Sequence, residues 1–194
     1  MEMLQEGMQP NEITIKQIME RADVGMGTVN YHFGSKENLM NLVIRRYISS
    51  ILPETPRIFG QYADLPPLQQ FRAGVKDIMT IIAREPEIAR QAFMQDMTAG
   101  FEGDATSETI QALLAPLRSA LGDEDETRLW LRLHLLVVGL EATVLRSEIV
   151  RKASGLHFED DGEREEILDA ILDMVLAPAV TRNVHDGRKG AGSV

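Results

Sequence analysis

A chain of 194 residues has room for one large domain or two small ones, with a proper core. Its 44% hydrophobic and 26% charged residues are the composition of a globular protein, and the absence of cysteine excludes disulfides, thiolate metal sites and a cysteine nucleophile. The net charge of −10 argues against a nucleic-acid partner only until its distribution is read. Residues 1–50 set Lys16, Arg21, Lys36, Arg45 and Arg46 against Glu2, Glu6, Glu12, Glu20, Asp23 and Glu37, which is close to balance. The acidity belongs to the rest of the chain.

In chain order, Met1–Pro10 lacks the basic and apolar regions of a secretory signal. Breaks follow at Gln9–Glu12, Asp23–Gly25, Gly34–Ser35, Pro53–Pro56, Pro66–Pro67, Glu85–Pro86, Gly100–Asp104, Gly122–Asp125 and Ser154–Gly162. Between them the pattern predicts helices over about 14–22, 26–33, 36–51, 66–84, 86–99, 106–121, 125–150 and 163–178. No stretch alternates strictly enough to make a strand. Thr14 and Ser35 are placed to cap their helices, and Pro86 suits the first turn of the helix it opens. The fold class expected is all-α. A small N-terminal unit (1–47) is joined through the helix at 36–51 to a larger helical body (48–181), with a disordered tail at 182–194. The apolar run Leu133–Leu145 contains His134, Gly139, Glu141 and Thr143, so it reads as a buried helix rather than a membrane span. A cytoplasmic protein with no membrane partner is expected.

Ile15, Ile18, Met19 and Ala22 recur at i, i+3, i+4 and i+7, one face of a short helix. Val29 and Phe33, four apart, give the following helix an inward face of its own, with Val24 in the turn between them. Asp23 stands where that turn needs a left-handed residue, which aspartate tolerates better than most. Two short helices, a tight turn and a shared core make a helix-turn-helix at Thr14–Phe33. Met26, Gly27, Thr28, Asn30, Tyr31 and His32 are left facing outward, a set suited to a phosphate-lined groove. Asn30 can pair with adenine and Met26 can touch a thymine methyl. Periodicity alone fits an ordinary αα-hairpin, with Tyr31 and Phe33 as core aromatics, equally well.

The residues from Thr14 to Leu39, ending T-V-N-Y-H-F-G-S-K-E-N-L, closely resemble the signature of the TetR family of bacterial transcriptional regulators. The resemblance covers roughly 26 residues and fades after about Tyr47. It implies a DNA-binding transcriptional repressor, a homodimer on double-stranded operator DNA, with an unidentified small-molecule effector bound in the C-terminal body. By the same resemblance Thr14, Thr28, Tyr31, His32 and Lys36 hold phosphates, while Lys16, Met26, Gly27 and Asn30 face base edges. The chain departs from the pattern in four places. Asp23 replaces a turn glycine, and Gly25 replaces the serine that caps the recognition helix. Met19 replaces a small residue where the helices cross, predicting a wider packing, and Asn30 replaces a common tyrosine. A full helix is usual before this point, whereas only Met1–Met8 precede the first break; the expectation is that the sequence begins inside that helix.

In the body, Phe71, Val75, Ile78, Met79 and Ile82 run at helical spacing. Such a stripe is more often core than pocket, but an effector site between helices would draw on residues of this kind. The pocket candidates are Met79, Phe93, Met94, Met97, Trp130 and His134. The helix near 125–150 is apolar almost all round, and the last helix carries Leu168, Ile171, Leu172 and Val175 opposite an acidic face. A dimer interface through Leu136, Leu140, Leu168, Ile171, Leu172 and Val175 is expected, the alternative being that these stripes complete a monomeric core. Glu141, in so apolar a run, needs a partner, with Arg146 and a cationic effector both open.

No enzyme is expected. The four histidines lack H-E-x-x-H spacing, and there is no P-loop, G-x-G-x-x-G or G-x-S-x-G. No catalytic residue, metal or cofactor is assigned. The acidic cluster Glu159–Glu166 lacks the spacing of a calcium loop. A helical carrier of small molecules or lipids would explain the body but leave Thr14–Lys36 without a role.

Overall fold

The computed structural model describes residues 2–6, 8, 12–99 and 104–177. The elements are α1 (Glu2–Gln5), α2 (Ile15–Ala22), α3 (Met26–Phe33), α4 (Lys36–Ile51), a 3-10 turn (Leu52–Glu54) and α5 (Thr55–Gly60). They continue with α6 (Pro67–Ala83), α7 (Pro86–Ala99), α8 (Ala105–Leu121), α9 (Glu126–Leu145), α10 (Ser147–Ser154) and α11 (Asp161–Leu176). No strand occurs among the described residues, so the all-α expectation holds. The expected tail at 182–194 lies outside them.

Local chemistry explains the boundaries in the N-terminal unit. Thr14 and Gln17 close a capping box: the Gln17 backbone N–H donates to the Thr14 hydroxyl, while the Thr14 backbone N–H donates to the Gln17 side chain at 2.7 Å. Asp23 ends α2 in the left-handed region (φ 53°, ψ 47°), as the turn requires. Gly34 ends α3 at φ 73°, and the Ser35 hydroxyl then accepts from the Asn38 N–H to start α4. Ile13, Val29 and Ile44 are each buried in this unit. An open apolar groove of about 430 Å³ runs beside α1, with Met3, Ile18, Leu39, Met40 and Val43 among its walls.

Two expected elements differ in the body. The stretch after Pro53, read as a break, forms α5, because Pro56 sits in its first turn, where a missing N–H and a fixed φ cost nothing. The helix expected over 125–150 stops at Leu145, where Arg146 leaves helical geometry (φ −114°, ψ 24°), and restarts as α10. No proline or glycine marks that break in the sequence.

The body core is one contiguous cluster in which α6, α8, α9 and α11 meet. Leu129, Leu133, Leu136, Leu140 and Val144 of α9 form its central column, with Leu168 and Leu172 of α11 beside them. Leu136, Leu140, Leu168 and Leu172 are therefore interior to a single chain, which corrects their assignment to a subunit interface. A helix apolar all round does not reveal which side the rest of the chain will cover. Ile171 and Val175 are half-buried against the same core. The large apolar side chains left exposed on these two helices are Trp130, Leu131, Leu135 and Met174, the last 72% exposed.

Ion pairs bind the outer layer. Arg72 pairs with Asp169 and Asp173, and Lys76 with Asp169 at 2.8 Å, joining α6 to α11. The Lys76 ammonium, followed by the Arg72 guanidinium, holds the Asp169 carboxyl below its ordinary range against the opposing effect of burial. The acidic stretch Glu159–Glu166 is used structurally. Asp160 caps α11, Glu163 accepts from the His157 backbone N–H, and Asp161 pairs with the buried Arg164.

Candidate nucleic-acid interface and body cavity

Helix α3 buries Val29 and half-buries Phe33, which turns most of its other residues outward. Met26, Gly27, Thr28, Asn30, Tyr31 and His32 are all exposed, Tyr31 at 85%. An 85%-exposed tyrosine loses area to water for no internal gain, so the αα-hairpin reading with Tyr31 as core is set aside. Tyr31 meets His32 edge-on, ring centres 5.1 Å apart, which braces both rings on the surface.

The α3 N-terminus carries no side-chain cap, because Gly25 occupies the cap position. Its positive end therefore stays open to an anion, while the stability lost relative to a serine is only a few tenths of a kcal/mol, roughly. A Cβ built on Gly25 or Gly27 would meet nothing within 4 Å. No packing contact among the described residues requires glycine there.

The remaining assigned residues fall into two groups. Lys16 is exposed beside α3 and makes a long surface pair with Glu20 at 3.7 Å, an interaction weak enough for a phosphate or base edge to displace. Lys36 is half-buried in the first turn of α4. Thr14 is exposed, but its hydroxyl donates to Gln17 and accepts from the Gln17 N–H, so it first of all builds α2. Arg21, on the same helix as Lys16, pairs with Glu2 and Glu6.

The bacterial regulatory proteins of the tetR family match the chain over residues 7–43, the segment that contains this helix-turn-helix. The chain carries the DNA-binding domain of the tetR family. None of the curated proteins matches it. With that domain the chain is a DNA-binding transcriptional regulator.

Two adjoining cavities lie in the body of this regulator, and Asp96 and Glu141 line both. The inner one, about 50 Å³, is bounded by Val75, Ile78, Met79, Phe93, Leu113 and Leu140. The outer one is an open cleft of about 410 Å³ between the end of α7, the start of α8 and the flank of α9. Of the six residues expected in a pocket, Met79 and Phe93 line the inner cavity and Met97, Trp130 and His134 the outer cleft. Met94 lines neither and is 55% exposed, because α7 turns it outward. Trp130 and His134 lie flat on each other, ring centres 5.0 Å apart and planes within 9°.

Glu141 is 4% exposed, and its partner within the chain is not Arg146. Its carboxyl accepts from the Thr106 hydroxyl at 2.7 Å, while Arg146 is exposed. Burial pushes the Glu141 carboxyl up to about 7; the Thr106 hydrogen bond opposes this, and the charges of Asp96 and Asp104 reinforce it. Sequence reasoning passed over Asp96, Asp104 and Thr106. Asp104 followed by Thr106 reads only as a helix start, and Asp104 does cap α8, accepting from the Ser107 N–H at 2.8 Å.

Proposed function

We propose that the protein is a dimeric repressor, acting in the cytoplasm, whose hold on operator DNA is weakened by a small molecule bound in the body. One observation carries this reading. Helix α7 lines both cavities through Phe93, Asp96 and Met97, and also packs against α4, the helix that follows the recognition unit. Ile44 and Ile51 of α4 are buried, and Tyr47 is half-buried near Arg84 and Glu85 at the α6–α7 junction. A ligand that shifts α7 pushes directly on α4. Two recognition helices must reach grooves about one helical turn (~34 Å) apart, so a small rotation of α4 changes the fit. Effects of this kind are typically worth about 1–3 kcal/mol.

For the dimer, the outer faces of α9 and α11 supply the surface, with Leu131, Leu135 and Met174 exposed and Gly139 open beside them. Leu135→Glu should convert a sedimenting dimer to monomer at micromolar concentration; an unchanged dimer would move the interface elsewhere.

The DNA reading is tested by gel shift on the DNA upstream of the protein's own gene. Tyr31→Phe and Lys36→Ala should weaken binding to all sequences alike, and Lys36→Ala should lower the salt dependence by about one counterion. Asn30→Ala should instead change preference among sequences. Gly27→Ala separates folding from docking: a helical alanine gains roughly 0.5–1 kcal/mol of stability over glycine, while the added methyl blocks close backbone approach. A raised melting temperature with DNA affinity unaltered would remove Gly27 from the interface. A chain with no salt-sensitive, sequence-specific binding would remove the repressor reading.

A further inference from the structure

The two cavities have a chemical character that the family domain does not dictate. Among the described residues no lysine or arginine lines either of them, whereas Asp96 and Glu141 line both and Asp104 lines the cleft. Their charges act on one another across the space. Beside them the Trp130 ring, 41% exposed, forms a flat wall backed by His134. Negative charge at a cavity mouth with an aromatic plate at its edge is how a protein holds an organic cation: the carboxylates supply the field and the indole face a cation–π contact. The inner cavity is lined by apolar residues apart from the same two acids and Thr109, whose hydroxyl donates to the Ala105 carbonyl, and Met79 on its wall has a side chain flexible enough to make room.

We propose that the cleft binds an amphipathic organic cation, an amine or quaternary ammonium with an apolar or aromatic portion. Its charged head sits between Glu141 and Asp96 against Trp130, and its apolar end points toward Met79 and Phe93. This rests on the reading of the body as the effector domain. It also gives a role to a glutamate in so apolar a helix: among the described residues the buried carboxyl has a hydroxyl donor and two like charges acting on it. A bound cation favours the ionised carboxylate, so binding strengthens with pH and releases a proton. Among the described residues, the polar and titratable groups that share a cavity with Glu141 are Asp104 at the cap of α8, Thr106, Ser107 and Thr109 of α8, Asp96 of α7, and Trp130 and His134 of its own helix.

Trp130 is the chain's single tryptophan, so intrinsic fluorescence reports on this wall alone. Benzyltrimethylammonium should change that fluorescence saturably at pH 8, and benzoate and benzyl alcohol should not. Calorimetry should give an affinity about tenfold weaker at pH 6 than at pH 8, with the dependence lost in Glu141→Gln. At pH 8, Glu141→Gln should weaken binding at least tenfold, and Asp96→Asn should weaken it in the same direction should the first variant fold poorly. Absence of binding at millimolar concentration, equal binding to both variants, or preference for benzoate would overturn the cation. Gel shifts with the same compounds separate the two readings. A cation that binds at Trp130 yet leaves DNA affinity unchanged supports the cation and overturns effector release. A neutral or anionic compound that binds there and releases DNA does the reverse.

Discussion

Gly74→Ala should lower the stability of the chain by up to about 2 kcal/mol, although alanine is the better helix former. A Cβ at residue 74 would stand 2.7 Å from two ring carbons of Phe59 and 2.8 Å from a third. The ring cannot swing aside easily, since it is buried and tilted against Phe71 with centres 6.0 Å apart. Helix propensity favours alanine by roughly 1 kcal/mol, and overpacking typically costs about 1–3 kcal/mol, so the clash wins. The pair is therefore coupled, and a double-mutant cycle reads the coupling. In a Phe59→Leu background, which shortens the obstructing group, Gly74→Ala should become neutral or stabilising in chemical denaturation. The same loss in both backgrounds would show that α5 and α6 do not meet there.

Glu141→Gln should raise the melting temperature at pH 8 and leave it almost unchanged below pH 4.5. The folded carboxyl titrates at about 7 and the unfolded one near its ordinary value of 4.5. Between those values the folded chain holds more protons than the unfolded chain, so stability falls as pH rises. Below 4.5 both states are protonated and the glutamate carries no penalty; above 7 the penalty is complete, on the order of 2–3 kcal/mol. Glutamine keeps an acceptor for the Thr106 hydroxyl and removes the charge. For a chain of this size the gain at pH 8 corresponds to roughly 5–10 °C. Parallel melting curves for the two proteins across that range would show that Glu141 is not held in the neutral form.

These effects differ in how far the sequence announced them. The helix-turn-helix was legible because every signal in it is local. A threonine cap, an aspartate in a left-handed turn, apolar spacing within eight residues and the run from Thr28 to Leu39 all act over a few residues. Local energetics sets φ, ψ and caps, so such features survive whatever surrounds them. The helical class of the body was legible for the same reason. Pro56 reads as a break because proline both ends and begins helices, and only the following turn tells which.

Other features depended on which faces the chain brings together. Leu136, Leu140, Leu168 and Leu172 carry a pattern that fits an interface or a core equally, and only the packing of α9 on α6, α8 and α11 placed them inside. Gly74 looks like a weak point in a helix until Phe59 is found over it. Asp96, Asp104 and Glu141 are separated by up to 45 positions, each acceptable on its own helix, and their shared cavity exists only once α7, α8 and α9 meet. The sequence by itself determined the recognition helix and its outward residues, because short-range geometry specifies them. Tertiary structure alone decided the charge of the cavity and the identity of the core face, because both are sums over distant parts of the chain.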